Sequence, residues 1–281
     1  MIAAKKDFIK NPIYISYTGL SDFLKCPRSY YLKNIYRDPK QNFRLQIINP
    51  HLVLGGTVHD TIKWFLETGG GVTKEQLEKK FRNLWLKFRG KRGGFKTLED
   101  EASFGNRGLK MLDNFFKNAL ILGKAMPFLS FPKYNLTENL ILMGNMDFVG
   151  LLPDGTLHVI DFKTGANDEE SALQLYIYAI LSESNYGKKV SRASFWYLDR
   201  DDAPRDIVLD PLDGQLEWLK QKGLELKKAI ENNVWVCIKE KDGFCRDCRD
   251  YQAVLDGKGE FLFSDYRYKK EIYYLPQINL G

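Results

Sequence analysis

Residues 156–163 of this chain read Thr-Leu-His-Val-Ile-Asp-Phe-Lys, and they constrain the fold more than any other segment. The turn-forming triplet Pro153-Asp154-Gly155 precedes them, so the run opens as a strand out of a turn. Side chains alternate along a strand. Asp161 and Lys163 therefore project from one face, and His158, Ile160 and Phe162 from the other. Residues 171–182 are helical in pattern, with Leu173, Ile177 and Ile180 or Leu181 as the apolar stripe. Residues 194–199 and 206–210 then read as strands, and Leu216, Leu219, Gly223, Leu226 and Ile230 mark an amphipathic helix. Strand, helix, strand and helix in succession predict an α/β core.

Upstream of residue 132 the pattern is mainly helical. A helix starts within 14–24, where Ser16 or Thr18 can cap it and Leu20, Phe23 and Leu24 share a side. Pro27 interrupts that helix and opens the next. Residues 54–68 place Leu54, Val58, Ile62 and Phe65 at helical spacing with His59 beside the stripe, and 73–89 and 101–122 are two more helices. Residues 136–151 hold β-type segments around Glu138 and Asp147.

Composition excludes several classes. With 281 residues, 28% charged and 44% hydrophobic, the chain can bury a core without disulfides and is not a disordered polymer. No run approaches the roughly 18 apolar residues of a membrane span, and the first ten residues lack the apolar core of a signal peptide, so a cytoplasmic protein with no membrane partner is expected. Charge is uneven: residues 1–100 carry 19 basic and 9 acidic side chains, a net of +10, and the remainder 23 and 27, a net of −4. A phosphate-binding surface beside a cation-binding site produces such a division.

An isolated Asp-x-Lys is most often an edge-strand ion pair; its company matters here. A neighbouring strand can bring Asp147 beside Asp161, and two carboxylates suit Mg²⁺ or Mn²⁺, hard cations that take oxygen ligands. His59, on a helix opening with Gly55 and Gly56, can add an imidazole. Gln174 and Tyr178 are four apart on the following helix, hence on one face, where they can position a phosphate, a water or a nucleotide. Glu138 is a weaker candidate carboxylate.

Five blocks, CPRSYYL (26–32), GGTVH (55–59), GNMDFVG (144–150), DFKTG (161–165) and QLYIYA (174–179), resemble in that order the PD-(D/E)XK nuclease superfamily. The RecB-type branch, with its helicase-associated nuclease domains and CRISPR-associated exonucleases, is the most similar. The resemblance implies a restriction-endonuclease-like α/β fold, a mixed central sheet flanked by helices with a helical N-terminal region. It implies one nuclease domain over 1–281, with a mainly helical part at 12–132, the catalytic core at 133–210 and a closing C-terminal segment at 211–281. The implied activity is metal-dependent DNA hydrolysis, exonucleolytic, in repair, recombination or CRISPR-type processing, with a helicase or other DNA-processing protein as partner. His59, Asp147 and Asp161 are the implied metal ligands, Lys163 the catalytic lysine, and Gln174 and Tyr178 the accessory pair. A catalytically inactive nucleic-acid-binding module on the same fold is the alternative.

Cys26, Cys237, Cys245 and Cys248 are similar to the split set that holds a [4Fe–4S] cluster in some relatives, although those relatives place the last ligand beyond the Cys-x-x-Cys pair. Four thiolates also accept zinc, so cluster, zinc or neither stay open. Residues 85–96 combine Lys87, Arg89, Lys91, Arg92 and Lys96 with Trp85, Phe88 and Phe95 and no acid. That mixture suits single-stranded DNA, cations tracking phosphates and rings stacking bases, and equally a solvated loop.

Overall fold

A computed structural model describes residues 12–169, 171–239 and 245–276. In chain order the first half contains β1 (Ile13–Ile15), α1 (Tyr17–Lys25), α2 (Pro27–Tyr30), β2 (Arg44–Ile47), α3 (Pro50–Glu67), α4 (Lys74–Trp85) and α5 (Leu98–Asn118). Then come β3 (Lys124–Ala125), β4 (Lys133–Thr137), β5 (Leu140–Met143), β6 (Phe148–Leu151), β7 (Leu157–Lys163) and α6 (Leu173–Tyr186). The chain continues through β8 (Val190–Tyr197), β9 (Arg205–Asp206), α7 (Leu212–Asn232), α8 (Arg246–Leu255), β10 (Glu260–Asp265) and β11 (Lys270–Tyr274). This is the α/β class read from the sequence. None of the described helices is long and apolar enough to cross a membrane.

Two compact units are interleaved along the chain. The first combines Met1–Ile48, Asn135–Ile141 and Glu217–Gly281; the second combines Asn49–Tyr134 and Leu142–Leu216.

The second unit is built on a five-stranded mixed sheet in the order β3-β6-β7-β8-β9. Strand β7 pairs antiparallel with β6 and parallel with β8, and α6 makes the crossover that a parallel pair requires. Every residue of β7 except Lys163 is buried, which explains its run of apolar side chains on both faces. Phe115 of α5, Phe162 and Trp196 pack ring against ring with centroids 5.6–5.8 Å apart. Helix α3 starts where Asn49 caps the Leu52 amide and Pro50 fills the first turn. Gly108 of α5 sits against Phe81 of α4, where an added Cβ would come within 2.5 Å of the ring, so only glycine admits this helix approach.

Residues 206–210, read as a strand, pair only at Arg205–Asp206; Val208 is 94% exposed, so the apolar alternation there has no face to cover.

The first unit carries two three-stranded sheets, β1-β5-β4 and β10-β11-β2. In the latter β10 and β11 form an antiparallel hairpin and β11 runs parallel to β2. Ser16 caps α1 and Pro27 opens α2, as the sequence suggests. Cys26 is the residue between them, and the chain continues through a single π turn, Tyr31–Ile35. Arg28 of α2 donates to Gln252 of α8 at 2.7 Å, and Lys33 pairs with Asp22 at 2.8 Å and Asp247 at 3.5 Å.

Candidate active site

Three elements of the second unit deliver the candidate residues to the C-terminal end of β7. Asp161 and Lys163 leave the same face of that strand, as alternation requires. Asp147 directly precedes β6, whose antiparallel register pairs Phe148 with Ile160, and its Oδ2 accepts the Phe162 amide at 3.0 Å. Helix α3 brings His59. A Cβ on Gly55, one turn earlier, would lie 3.2 Å from Oγ1 of Thr164, so glycine lets the helix lie close against the end of β7. Nδ1 of His59 is 3.0 Å from Oδ1 of Asp147.

Gln174 and Tyr178 do share a helix face, and that face closes on β7. The Gln174 amide donates to Asp161 Oδ1 at 2.7 Å while its carbonyl accepts from Lys163 Nζ at 2.8 Å. The same Nε2 lies 2.9 Å from the Tyr178 hydroxyl. One amide thus fixes the carboxylate and the ammonium relative to each other, and the buried tyrosine fixes the amide.

The electrostatics are those of a crowded, desolvated site. Burial and the neighbouring Asp147 charge push the Asp161 carboxyl up to about 7, against the pull of Lys163. Burial works against the Asp147 charge too, but His59, with its ring hydrogen bond, and the Phe162 amide outweigh it and hold this carboxyl below its usual range. Burial lowers His59, and Asp147 overrides it, raising the imidazole to about 9. Lys163 stays above its ordinary value for the same reason: burial disfavours the ammonium, and Asp161 and Glu169 more than restore it. Burial drives Tyr178 well above the ordinary tyrosine value, so its hydroxyl keeps its proton. The two adjacent carboxyls are thus pushed in opposite directions, Asp161 up and Asp147 down.

Sequence reasoning missed Glu169. Its Oε1 lies 3.1 Å from Lys163 Nζ, which gives the ammonium three partners with Asp161 at 2.9 Å and Gln174 at 2.8 Å. Loop geometry sets this contact. Arg107 holds the Thr164 carbonyl at 3.0 Å, Arg200 grips Asp168 and the Ala166 carbonyl, and the Tyr197 hydroxyl accepts the Glu169 amide at 2.9 Å. No local sequence signal points to it, because every restraint comes from a distant segment.

The donor set fits a divalent cation. Asp161 Oδ2 is buried, and the Lys163 ammonium is its charged neighbour at 2.9 Å. That carboxylate oxygen, with a second carboxylate and an imidazole in the same site, is a hard-ligand arrangement for Mg²⁺ or Mn²⁺. Glu138 takes no part: it is exposed on the β4–β5 turn of the first unit.

The structure also brings the four cysteines together, in the first unit. Their sulfurs all lie within 4.8 Å of one another. Cys26 Sγ and Cys245 Sγ are each 3.2 Å from Cys248 Sγ, and the Cys245 amide donates to Cys237 Sγ at 3.3 Å. Leu32, Tyr31 and Tyr251 pack against the group. Hydrogen bonds from the Cys245 and Lys239 amides outweigh burial and bring the Cys237 thiol down to about 7, whereas burial and the adjacent sulfurs push Cys248 up. Such a set of converging thiols can bind a metal ion.

Residues 85–96 differ from expectation in one respect. Lys87, Arg89, Lys91, Arg92 and Lys96 are exposed, but Trp85 and Phe95 are not available for stacking. They are buried in a ring series from Phe81 through Trp85 and Phe95 to Phe104, with centroids 5.3, 5.4 and 6.1 Å apart. Glu101 anchors the turn beneath, accepting the Gly90 amide at 2.8 Å and pairing with Arg89 at 3.6 Å. On the other face of β7, His158 meets Ser194 at 2.6 Å and Ser194 donates to Asp206 at 2.7 Å. That serine bridges two partners and packs His158 in place, so the trio is a strut between strands.

No curated protein matches the chain. The family model of the PD-(D/E)XK nuclease superfamily matches residues 14–254, a span that takes in the carboxylates, the lysine and all four cysteines. A match of that extent, over a mixed sheet whose buried strand ends in a carboxylate–lysine pair, settles the kinship: this chain belongs to the PD-(D/E)XK nuclease superfamily.

Proposed function

We propose that the chain hydrolyses DNA phosphodiester bonds with Mg²⁺ or Mn²⁺, as an exonuclease of the RecB-type branch. Membership of a nuclease superfamily supports nucleic acid as the substrate and hydrolysis as the reaction. The observation that supports the rest is the Asp147–Asp161 pair beside Lys163 and His59, where two neighbouring carboxyls of opposed pKa shift suit a divalent cation. Bound there by Asp147, Asp161 and His59, such a cation supplies Lewis-acid polarisation of a phosphate oxygen and a lowered pKa for water.

The chain's own groups do the remainder. Lys163 donates to a water or to the charge developing on phosphorus, at the one position where its ammonium is already aimed into the site. Gln174 keeps the ammonium and the Asp161 carboxylate in register, and Tyr178 locks Gln174. For an incoming phosphate to meet Lys163, one of its three acceptors must give way. Asp161 is 2% exposed, so the loop carboxylate of Glu169 is the one that yields.

The exposed Lys87, Arg89, Lys91, Arg92 and Lys96 are the proposed phosphate track; single-stranded character in that DNA rests on the sequence pattern, since the rings Trp85 and Phe95 are buried. A helicase or other DNA-processing protein is the proposed partner, and repair, recombination or CRISPR-type processing the proposed setting, both resting on the sequence resemblance. Digestion of end-labelled single- and double-stranded DNA with Mg²⁺, with and without EDTA, tests the reading. Mg²⁺-dependent shortening that EDTA stops is the expected result. DNA bound but uncut with both Mg²⁺ and Mn²⁺ would make the chain an inactive binding module.

A further inference from the structure

The spacing of the four cysteine sulfurs separates the two groups that four thiolates accept. A tetrahedral ion bound at about 2.3 Å sets its thiolate sulfurs about 3.8 Å apart. In a [4Fe–4S] cubane each thiolate binds its own corner iron and projects outward by a further bond, so the sulfurs stand roughly 6 Å apart. Here every pair falls within 4.8 Å, and two pairs are at 3.2 Å. The set brackets the single-ion spacing and falls short of the cubane's. The packing agrees: Leu32, Tyr31 and Tyr251 close directly on the thiols.

We propose that Cys26, Cys237, Cys245 and Cys248 hold one zinc ion in an all-thiolate, tetrahedral, structural site, in place of the iron–sulfur cluster that the family resemblance suggests. Soft thiolates select zinc over the hard cations of the carboxylate site, and four protein ligands leave no open position for chemistry. The Cys245 amide at Cys237 Sγ is the kind of outer hydrogen bond that stabilises a metal-bound thiolate. Cys26 and Cys248 are 222 residues apart, so one ion ties the α1–α2 junction to α8. The inference does not depend on the nuclease reading.

The test is metal analysis of the full chain, purified anaerobically from cells supplied with both iron and zinc. About one zinc per chain, little iron and a colourless solution are expected. Near four irons per chain with broad visible absorption would overturn the proposal, and so would the absence of both metals. Cys26→Ser should lower the zinc content severalfold, whereas Asp161→Asn should retain it. Because Cys26→Ser can fail by misfolding, the wild-type chain stripped and reloaded with Co²⁺ gives a second readout. Intense tetrahedral thiolate–cobalt absorption is expected, and the weak spectrum of octahedral cobalt would contradict the site.

Discussion

The carboxylate site of the second unit and the thiolate site of the first show how differently one chain can arrange two candidate metal positions. The first is built from oxygen and nitrogen donors that already bind one another: Asp147 to His59, Asp161 to Gln174, Lys163 to three acceptors. It is strained electrostatically, with a carboxyl raised to about 7 beside another held low. The second is built from four soft donors packed against Leu32, Tyr31 and Tyr251. Ligands that repel one another and keep an ammonium nearby suit turnover; ligands sealed in packing suit holding a chain together. The contrast makes the two sites separable by experiment.

The largest effect that would sharpen it is Asp147→Asn. This change keeps shape and removes a charged ligand, so Mg²⁺-dependent cleavage should fall by at least about 10³-fold. Zinc content and melting temperature should change little. A variant that cuts at near the wild-type rate would break the assignment.

Lys163→Ala comes next. Its loss should lower kcat by about 10²–10³-fold, the range for removing a donor aimed at developing charge, with DNA and Mn²⁺ binding retained. A defect confined to DNA affinity would reduce Lys163 to a phosphate contact.

A pH series probes the raised carboxyl and imidazole. Burial and the Asp147 charge push the Asp161 carboxyl up to about 7, and Asp147 raises His59 to about 9, so both lose protons before they serve as ligands. Mn²⁺ affinity should therefore rise from about pH 6 toward about pH 9, with protons released on binding, and zinc at the thiolates should stay bound across that range. Affinity independent of pH would contradict the paired-carboxylate picture.

The smallest expected effect lies in the basic turn. Replacing Lys87, Arg89, Lys91 and Arg92 with Ala should weaken DNA binding and flatten its dependence on log salt concentration by up to about 3 for single strands, since fewer counterions are released. The catalytic rate at saturating DNA should hold. An unchanged slope would return the turn to ordinary surface.

Much of the carboxylate site was legible because its geometry is local. Alternation alone puts Asp161 and Lys163 on one face, and helical spacing alone aligns Gln174 with Tyr178. What the sequence hid is non-local. Glu169 reaches Lys163 through a loop shaped by Arg107, Tyr197 and Arg200, and the β10–β11 hairpin exists as part of a sheet only through β2, more than 200 residues upstream. Trp85 and Phe95 read as stacking rings because composition cannot distinguish a ring on the surface from one buried against Phe81 and Phe104. Residues 206–210 alternate like a strand, yet the backbone contact with β8 ends at the Ile207 amide, which donates to the Ala193 carbonyl at 2.8 Å.

In the proposed reaction Asp147 and Asp161 together hold the hard cation. Mn²⁺ binding to the full chain, followed by electron paramagnetic resonance, tests it most directly. The account predicts saturable binding by the wild type, loss of that binding in the double variant Asp147→Asn/Asp161→Asn, and unchanged zinc in both. Equal Mn²⁺ binding by the wild type and the double variant would contradict it.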